Sequence, residues 1–506
     1  LLMKAKTFTK ILTPALALSM LLSNSAFAEA VSEAESSEAS AETVSAQTAS
    51  KVRTIITTDG EVDDQCSLVR YLLYANEFEL EGIVSTSSMF HYTDQGEGMF
   101  KGKDSNQEIL DAYAEVYDNL STHAEGYPTP EFLTEHNFEG NVTQPGEMGT
   151  DTEGSLFIKD CIMDEREDRL LIQAWGGCNT IAAALRSIED EYKDTEQWEE
   201  IYNKICNKVV IVNDLDQDAI ISDYFLTNWP NLPVLLTYTQ YTAMGYPEGR
   251  EAKIGSDMEY YYSAEWMQEK LADKGALADV YLANLEEYAD RSQGAFLSEG
   301  DTPCFTYALD VGLRSFEDPS YGGWGGRYEK VMYNGGGYST EGSQWSSQNA
   351  LWGLWIATDD DGDYFKPLYR WIEDFQNDFA ARLEWCVAPY EETNHAPTVT
   401  VEEGIDLTAK KGDTITLTAS ASDPDGDDVS ISFWQYGAAD TYGDRIELTE
   451  GENNQISFVV PDDAKAGNTI HIIVEAEDSD EDTPITRYQR VIVTVEDDAA
   501  TEETAQ

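Results

Sequence analysis

Unbroken apolar runs mark the larger, N-terminal part of the chain. Val52 to Ile56, Leu80 to Thr86, Leu170 to Trp175, Lys208 to Val212 and Leu232 to Thr237 are short and rich in β-branched residues. Strands of this kind are buried on both faces, as in a parallel sheet covered by helices. Helical spacing falls between several of them. Cys66, Leu68, Val69, Leu72 and Leu73 share a face over Asp64 to Tyr74, and further helices are expected over Thr180 to Ser187 and near Tyr224. The alternation predicts an α/β domain across residues 51–393, with a mostly parallel, doubly wound sheet.

Beyond Asn394 the pattern changes. Thr398 to Val401, Thr414 to Leu417, Val429 to Trp434, Ile456 to Val460, Thr469 to Val474 and Arg490 to Val495 are short strands separated by turn clusters such as Ser422-Asp423-Pro424-Asp425-Gly426-Asp427. Residues 394–497 are therefore expected to form a smaller all-β sandwich of immunoglobulin or cadherin type, with 498–506 an acidic tail. At the other end, Lys4, Lys6 and Lys10 precede an apolar run from Ile11 to Leu22 and the small-residue site Ala26-Phe27-Ala28. Residues 1–28 are expected to be a secretory signal peptide, which implies a secreted protein, extracellular or periplasmic. Residues 29–50, mostly Ala, Ser, Glu and Thr, have too little to bury and are expected to be a disordered spacer. No later run has the roughly 18 apolar residues of a membrane span.

Composition narrows the partners. With 96 acidic and 32 basic residues the net charge is −64, a field that repels nucleic-acid polymers and anionic membranes. The six cysteines show no close zinc-ligand pairing; buried thiols are expected for most of them, and any disulfide pairing stays open.

The strands end in small or polar residues: Thr58-Asp59, Ser85 to Ser88, Gly176-Gly177 and Asn213-Asp214. In a parallel sheet those ends gather into one polar crevice, where open α/β sheets bind ligands. The string Thr57-Thr58-Asp59-Gly60-Glu61-Val62-Asp63-Asp64 places three Asp carboxylates on the turn from the first strand to the first helix. Helix capping accounts for one of them. Three converging carboxylates suit a hard cation such as Ca²⁺.

That string resembles the opening motif of the nucleoside hydrolase superfamily, D-x-D-P-G-x-D-D, with Thr57 in place of the first Asp and Gly60-Glu61 in place of Pro-Gly. Leu171 to Ala182 is similar to the family's strand, glycine turn and N-I-A helix start, with Thr180 in place of the Asn. Gly300-Asp301-Thr302-Pro303 resembles its late His-Asp-Pro helix, with Gly300 in place of the His. Over nearly the whole mature chain the sequence looks like a group of exported cellulose-binding proteins that join a nucleoside-hydrolase-like domain to a C-terminal immunoglobulin-like β-domain. Tyr321 to Tyr328 and Phe375 to Arg382 are among the strings that carry this likeness.

The resemblance implies a sheet of nucleoside-hydrolase type and a set of roles. Asp59, Asp64 and Asp301 would bind Ca²⁺ through their side chains and Asn179 through its backbone carbonyl. Asp63 would be the general base, taking a proton from a calcium-bound water that attacks an anomeric carbon. The implied activity is cleavage of a glycosidic bond, N-glycosyl foremost, with a nucleoside, glycoside or polysaccharide as ligand. The alternative is a carbohydrate-binding protein that keeps the fold without turnover. Two further residues are candidates for substrate contact, each with a packing alternative: His91 on a site loop, and Trp324 in the aromatic, glycine-rich stretch Tyr321 to Tyr328. Tyr333 to Tyr338 resembles that stretch in composition. Asp214 to Asp218 either lines the pocket or is a solvated loop. The loops Asp359 to Asp363 and Asp423 to Asp428 are turns or calcium loops, neither with full EF-hand spacing.

Overall fold

The computed structural model describes residues 51–96, 100, 102–237, 243–245, 256–292, 299–330, 333–334, 350–351 and 354–497. The expected signal peptide, spacer and acidic tail lie outside the described residues, as does most of Tyr333 to Tyr338.

The apolar runs form the centre of an eight-stranded sheet. Its members are β1 (Val52–Thr58), β2 (Phe78–Ser85), β3 (Asn137–Glu139), β4 (Leu170–Ala174), β5 (Val209–Asn213), β6 (Val234–Leu236), β7 (Tyr328–Lys330) and β10 (Leu354–Ala357); β8 (Tyr333–Asn334) and β9 (Ala350–Leu351) pair separately. The order is β3-β2-β1-β4-β5-β6-β10-β7, parallel throughout except for β7. Alternate residues serve two apolar layers: Ile55, Ile172 and Ile211 face one, while Ile56, Leu171 and Val210 face the other. The sheet is thus the mostly parallel, doubly wound one expected, and the order of its strands reverses between β1 and β4. That reversal opens a crevice at the carboxyl ends of those two strands.

Helix α1 (Val62–Leu73) and the helix Asn179–Tyr192 stand where helical spacing placed them, and near Tyr224 a π-type turn, Ile221–Phe225, leads into Leu226–Asn228. Two long helices, Lys103–His123 and Ile372–Glu384, lie outside the stretches assigned from apolar runs. In the first, buried Ile109, Tyr113, Val116 and Leu120 are separated by polar residues, so only their spacing marks the helix. The second buries Gln376, Asn377, Asp378 and Arg382 as well as its apolar residues, which blurs the stripe.

The C-terminal region is a sandwich of two four-stranded sheets. One holds β11 (Thr398–Val401), β13 (Thr414–Ser422), β16 (Gln455–Val459) and β15 (Thr449–Glu450); the other holds β12 (Asp406–Ala409), β18 (Thr486–Val495), β17 (Thr469–Glu477) and β14 (Ser430–Gln435). The sandwich has its own core around Leu417, Phe458, Ile472 and Val493. It is also fused to the α/β unit, because Tyr436, Ile473 and Tyr488 belong to the α/β core. The backbone N–H groups of Tyr488 and Arg490 donate to the carbonyls of Val311 and Gly312 at 2.9 and 3.0 Å. Fully buried Arg490 adds bonds to the carbonyls of Leu313 (2.7 Å) and Gly322 (2.9 Å).

Gly312 is required by this contact. Its φ is +91°, and a Cβ there would lie 1.7 Å from the Tyr488 carbonyl oxygen. Gly312→Ala therefore adds about 1–3 kcal/mol of backbone strain to the displacement of β18. Urea unfolding should show a lowered midpoint, and an unchanged midpoint would refute the contact. Asp374 titrates at the same seam. Burial pushes its carboxyl up to about 7, although Tyr488 and Thr486 donate hydroxyls to it. The folded state then holds a proton that the unfolded chain releases near ~4. Its contribution is complete at low pH and is lost as pH rises towards 7. From pH 5 to pH 8 the wild type should lose urea stability relative to Asp374→Asn; a parallel trend in both would count against this assignment.

Candidate metal centre

β1 delivers Thr58 to the crevice, and the chain turns through Gly60 (φ +71°) into α1, whose first turn carries Asp63 and Asp64. The turn is held by its own side chains. Asp64 Oδ1 accepts from the Thr58 hydroxyl at 2.6 Å and from the Asp59 N–H at 3.1 Å, and Asp59 Oδ1 accepts from the Glu61 N–H at 3.2 Å. β4 passes close by: a Cβ on Gly176 would lie 2.8 Å from the Asp59 Cβ, so only glycine allows that approach. The turn before the helix Pro303–Thr306, which packs against α1 through Thr302–Ser67 and Phe305–Tyr71, brings in Asp301.

One carboxylate oxygen from each of Asp63, Asp64 and Asp301 lies within 4.8 Å of the others, and all three residues are buried. Neither carboxylate oxygen of Asp301 has a hydrogen-bond donor, and the residue is 1% exposed. Asp214, just past β5, adds a fourth carboxylate, held weakly by the Thr237 hydroxyl at 3.3 Å and the Gln217 amide at 3.4 Å. Burial, then the charges of neighbouring carboxylates (Asp59 and Asp63 on Asp64, Asp63 and Asp64 on Asp214, Asp64 and Asp63 on Asp301), pushes these three carboxyls well above the usual range. Asp59 shifts the same way, by burial and then by the charge of Glu61. Asp63 rises only to about 6, because amides of the first helical turn oppose the effect of burial. The nearby Arg70 does not answer these charges: it is buried in an ion pair with Glu299 at 2.5 Å.

A set of hard carboxylate oxygens, two of them on Asp301 with no hydrogen-bond donor, fits a divalent cation such as Ca²⁺, and buried carboxylates left uncompensated are costly. The donor set therefore fits the metal that the motif implied. Asp63, Asp64 and Asp301 are brought together, and Asp59 stands beside Asp64. Asn179 opens its helix, with its N–H donating to Asp218 Oδ2 at 2.8 Å and its side-chain amide to the Asn141 carbonyl at 2.7 Å. His91 sits on the motif turn, its Nδ1–H donating to the Asp59 carbonyl at 3.2 Å, and burial lowers its pKa so that the ring is neutral near pH 7.

Trp324 is 3% exposed and packs edge-on against Phe375 at 5.7 Å between ring centroids. The glycines around it are needed for packing, since a Cβ on Gly325 would lie 2.2 Å from the Tyr307 nitrogen. Its ring is thus taken up by the core, which is the packing alternative for that stretch. The Asp214 to Asp218 segment is buried, not solvated. Asp216 caps the Ile221 and Ser222 N–H groups, and Asp218 caps Asn179 and Ile220. Asp214 alone faces the cluster, and its place immediately after an apolar strand, as with Asp59, was the available signal. The two acidic loops are turns: Asp423 Oδ1 accepts from the N–H groups of Asp425, Gly426 and Asp427, and Asp360 is paired with two arginines. All six cysteines are free. Among the described residues no helix is long and apolar enough to cross a membrane.

One solved structure and two family models agree with the fold. A search of curated proteins finds no match. A solved structure described as a nucleoside hydrolase-related hypothetical protein from Saccharophagus degradans, associated with carbohydrate metabolism, is 28% identical; the match covers 88% of this chain and all of that one, with a TM-score of 0.70. The type III effector XopQ, solved with adenosine diphosphate ribose, is 9% identical over 67% of this chain and 95% of its own, with a TM-score of 0.31. The model of the C-terminal domain of cellulose-binding protein Sde0182 matches residues 414–495. The model of cellulose-binding Sde182, nucleoside hydrolase-like domain, matches residues 53–328, more than half of the chain, and the chain belongs to that family.

Proposed function

We propose that the chain is an exported hydrolase that cleaves a glycosidic bond, N-glycosyl foremost, at the Asp63–Asp64–Asp301 cluster with Ca²⁺ bound there. The observation that carries this reading is Asp301: two buried carboxylate oxygens without a donor, beside two further carboxylates. Asp59, Asp64 and Asp301 would hold the ion by side chains and Asn179 by its carbonyl, with Asp214 on the rim. A bound divalent cation supplies positive charge that offsets the carboxylates and acidifies water in its shell. Asp63 takes the proton from the attacking water, because a carboxyl at about 6 is largely ionised at pH 7 yet still basic enough to accept one. His91, bonded through Nδ1 to the Asp59 carbonyl, leaves Nε2 as an acceptor for a substrate hydroxyl.

A second reading, carbohydrate binding without turnover, is favoured by one departure. Gly300 stands where the superfamily motif has a His that could assist the leaving group. The family description, cellulose-binding, names a polysaccharide ligand and supports work outside the cell.

Calcium binding can be tested apart from activity. Titration calorimetry should give saturable Ca²⁺ binding that Asp301→Asn weakens by more than about tenfold; equal affinity in the variant would overturn the ligand set. The raised carboxyls hold protons at low pH, so the metal-free fold is favoured there and loses stability as pH rises through the raised values. Calcium must displace those protons. The rise in Tm from EDTA to calcium should therefore be larger at pH 8 than at pH 5.5. For turnover, the 51–497 protein should release base or sugar from a panel of nucleosides and plant glycosides. Asp63→Ala should lower kcat by about 10²–10⁴. Calcium binding with no Asp63-dependent turnover would establish the second reading instead.

A further inference from the structure

A second cleft lies at the seam between the α/β unit and the sandwich, built from elements that the strand-end site does not use. It encloses about 660 Å³, within the range of small-ligand sites. The edge strand β14 supplies one wall. Phe433 packs into the sandwich core, and partly exposed Trp434 points the other way, 5.8 Å from Trp371 of the α/β unit. The Arg370 guanidinium lies against this wall, 4.9 Å from the Trp434 ring and 4.3 Å from that of Tyr436. Such a cation–π stack stiffens both partners.

The base of the cleft is locked by Asp360, 1% exposed. Its Oδ1 accepts from Arg327 Nε at 2.8 Å, and its Oδ2 accepts from Arg370 Nη1 at 2.8 Å and the Tyr436 hydroxyl at 2.9 Å. Two arginines on one aspartate leave a single positive charge. On the rim, Lys366 pairs with Asp361 at 2.6 Å, and exposed Arg445 and Asp444 carry opposite signs. Both signs are thus present and nearly cancel, in a chain whose net charge is −64. Tyr364, 48% exposed, stands on the loop that carries Asp361 and Lys366.

A partly exposed indole backed by a rigid stack suits the C–H face of a sugar ring, and fixed carboxylates and guanidiniums beside it suit hydroxyl pairs. A polyanion meets repulsion from the chain as a whole, and an apolar ligand finds too many charged groups. We infer that the seam cleft, around Trp434, Arg370 and Arg445, binds a neutral oligosaccharide segment. The cleft shares a ligand class with the second functional reading, but it needs neither the metal nor turnover.

The test uses the 51–497 protein in EDTA, which removes the metal from consideration. Cello-, xylo- and manno-hexaose are titrated by calorimetry, with hexagalacturonate as the anionic contrast, and hydrogen exchange is followed with and without ligand. Saturable binding of a neutral hexaose is expected, with slowed exchange in 359–371 and 430–448. Trp434→Ala and the surface variant Arg445→Ala should each weaken that binding by about tenfold or more. Arg445→Ala and the wild-type exchange map keep the test decisive if Trp434→Ala misfolds. No binding of any neutral hexaose, protection confined to other segments, or tighter binding of hexagalacturonate would overturn the inference. Asp301→Asn, which disables the proposed metal centre, should leave seam binding unchanged, so the two sites fail or survive separately.

Discussion

A buried carboxylate persists only when something answers its charge, and this chain, with three acids for every base, has few bases to offer. The arginines that answer its buried acids are placed selectively. Arg70 answers Glu299, Arg327 and Arg370 share Asp360, and Arg382 and Arg487 share Asp378. Each of these ties distant segments together. At the carboxyl ends of β1 and β5 the solution differs: Asp63, Asp64, Asp214 and Asp301 are gathered with no arginine among them. The contrast within one molecule gives the cluster its meaning. In the proposed function a cation from outside the polypeptide answers this group, as arginines answer the buried acids at the three other places.

The topology explains why the cluster sits there. With β1 and β4 adjacent and their neighbours running outward in opposite directions, the turns after these strands open onto the same crevice. The N-terminus of α1 points its first-turn amides at the Asp63 carboxylate, while Asp64 is held by the Thr58 hydroxyl and the Asp59 N–H, so negative charge is favoured where the strand ends concentrate it. Gly176 lets β4 approach Asp59 closely enough for the crevice to be narrow. Among the described residues the sandwich supplies no carboxylate to the cluster, yet it is no loose appendage. Arg490 and the backbone of β18 are bonded into the Val311–Gly322 loop, so the seam between the two regions is a fixed surface, and a cleft along it keeps its shape.

Sequence alone reached the central strands because buried parallel strands are written as unbroken apolar runs, and Val209 to Asn213 or Leu170 to Ala174 have few other readings. It reached Asp59, Asp63 and Asp64 as three acids on one strand-to-helix turn, and Asp301 only through the resemblance to the nucleoside hydrolase superfamily. Strands that lie at or near the sheet's edges were missed: β3 has three residues, and β7 leaves Glu329 and Lys330 exposed. Helices with polar buried residues were missed as well, because Asp378 and Arg382 look like solvent-facing residues until their partners on other segments are known. Trp324 shows the same limit from the other side. Glycines around an aromatic residue fit a ligand platform and a tight packed turn equally well, and only the distance from Gly325 to Tyr307 separates the two.

In the proposed reaction, helix capping and catalysis are not rival explanations for the opening turn. The amides that make Asp63 a first-turn acid are the ones that hold its carboxyl near 6, while its neighbours, lacking such donors or repelled more strongly, rise further. In the proposed reaction that difference sorts the cluster. The carboxylates with the strongest mutual repulsion gain most from a cation and become its ligands. Asp63, already partly satisfied by the backbone, gains least from the metal and is left to exchange a proton near neutral pH. A single stretch of eight residues can in this way supply both a ligand and a base, because the helix end treats adjacent aspartates differently.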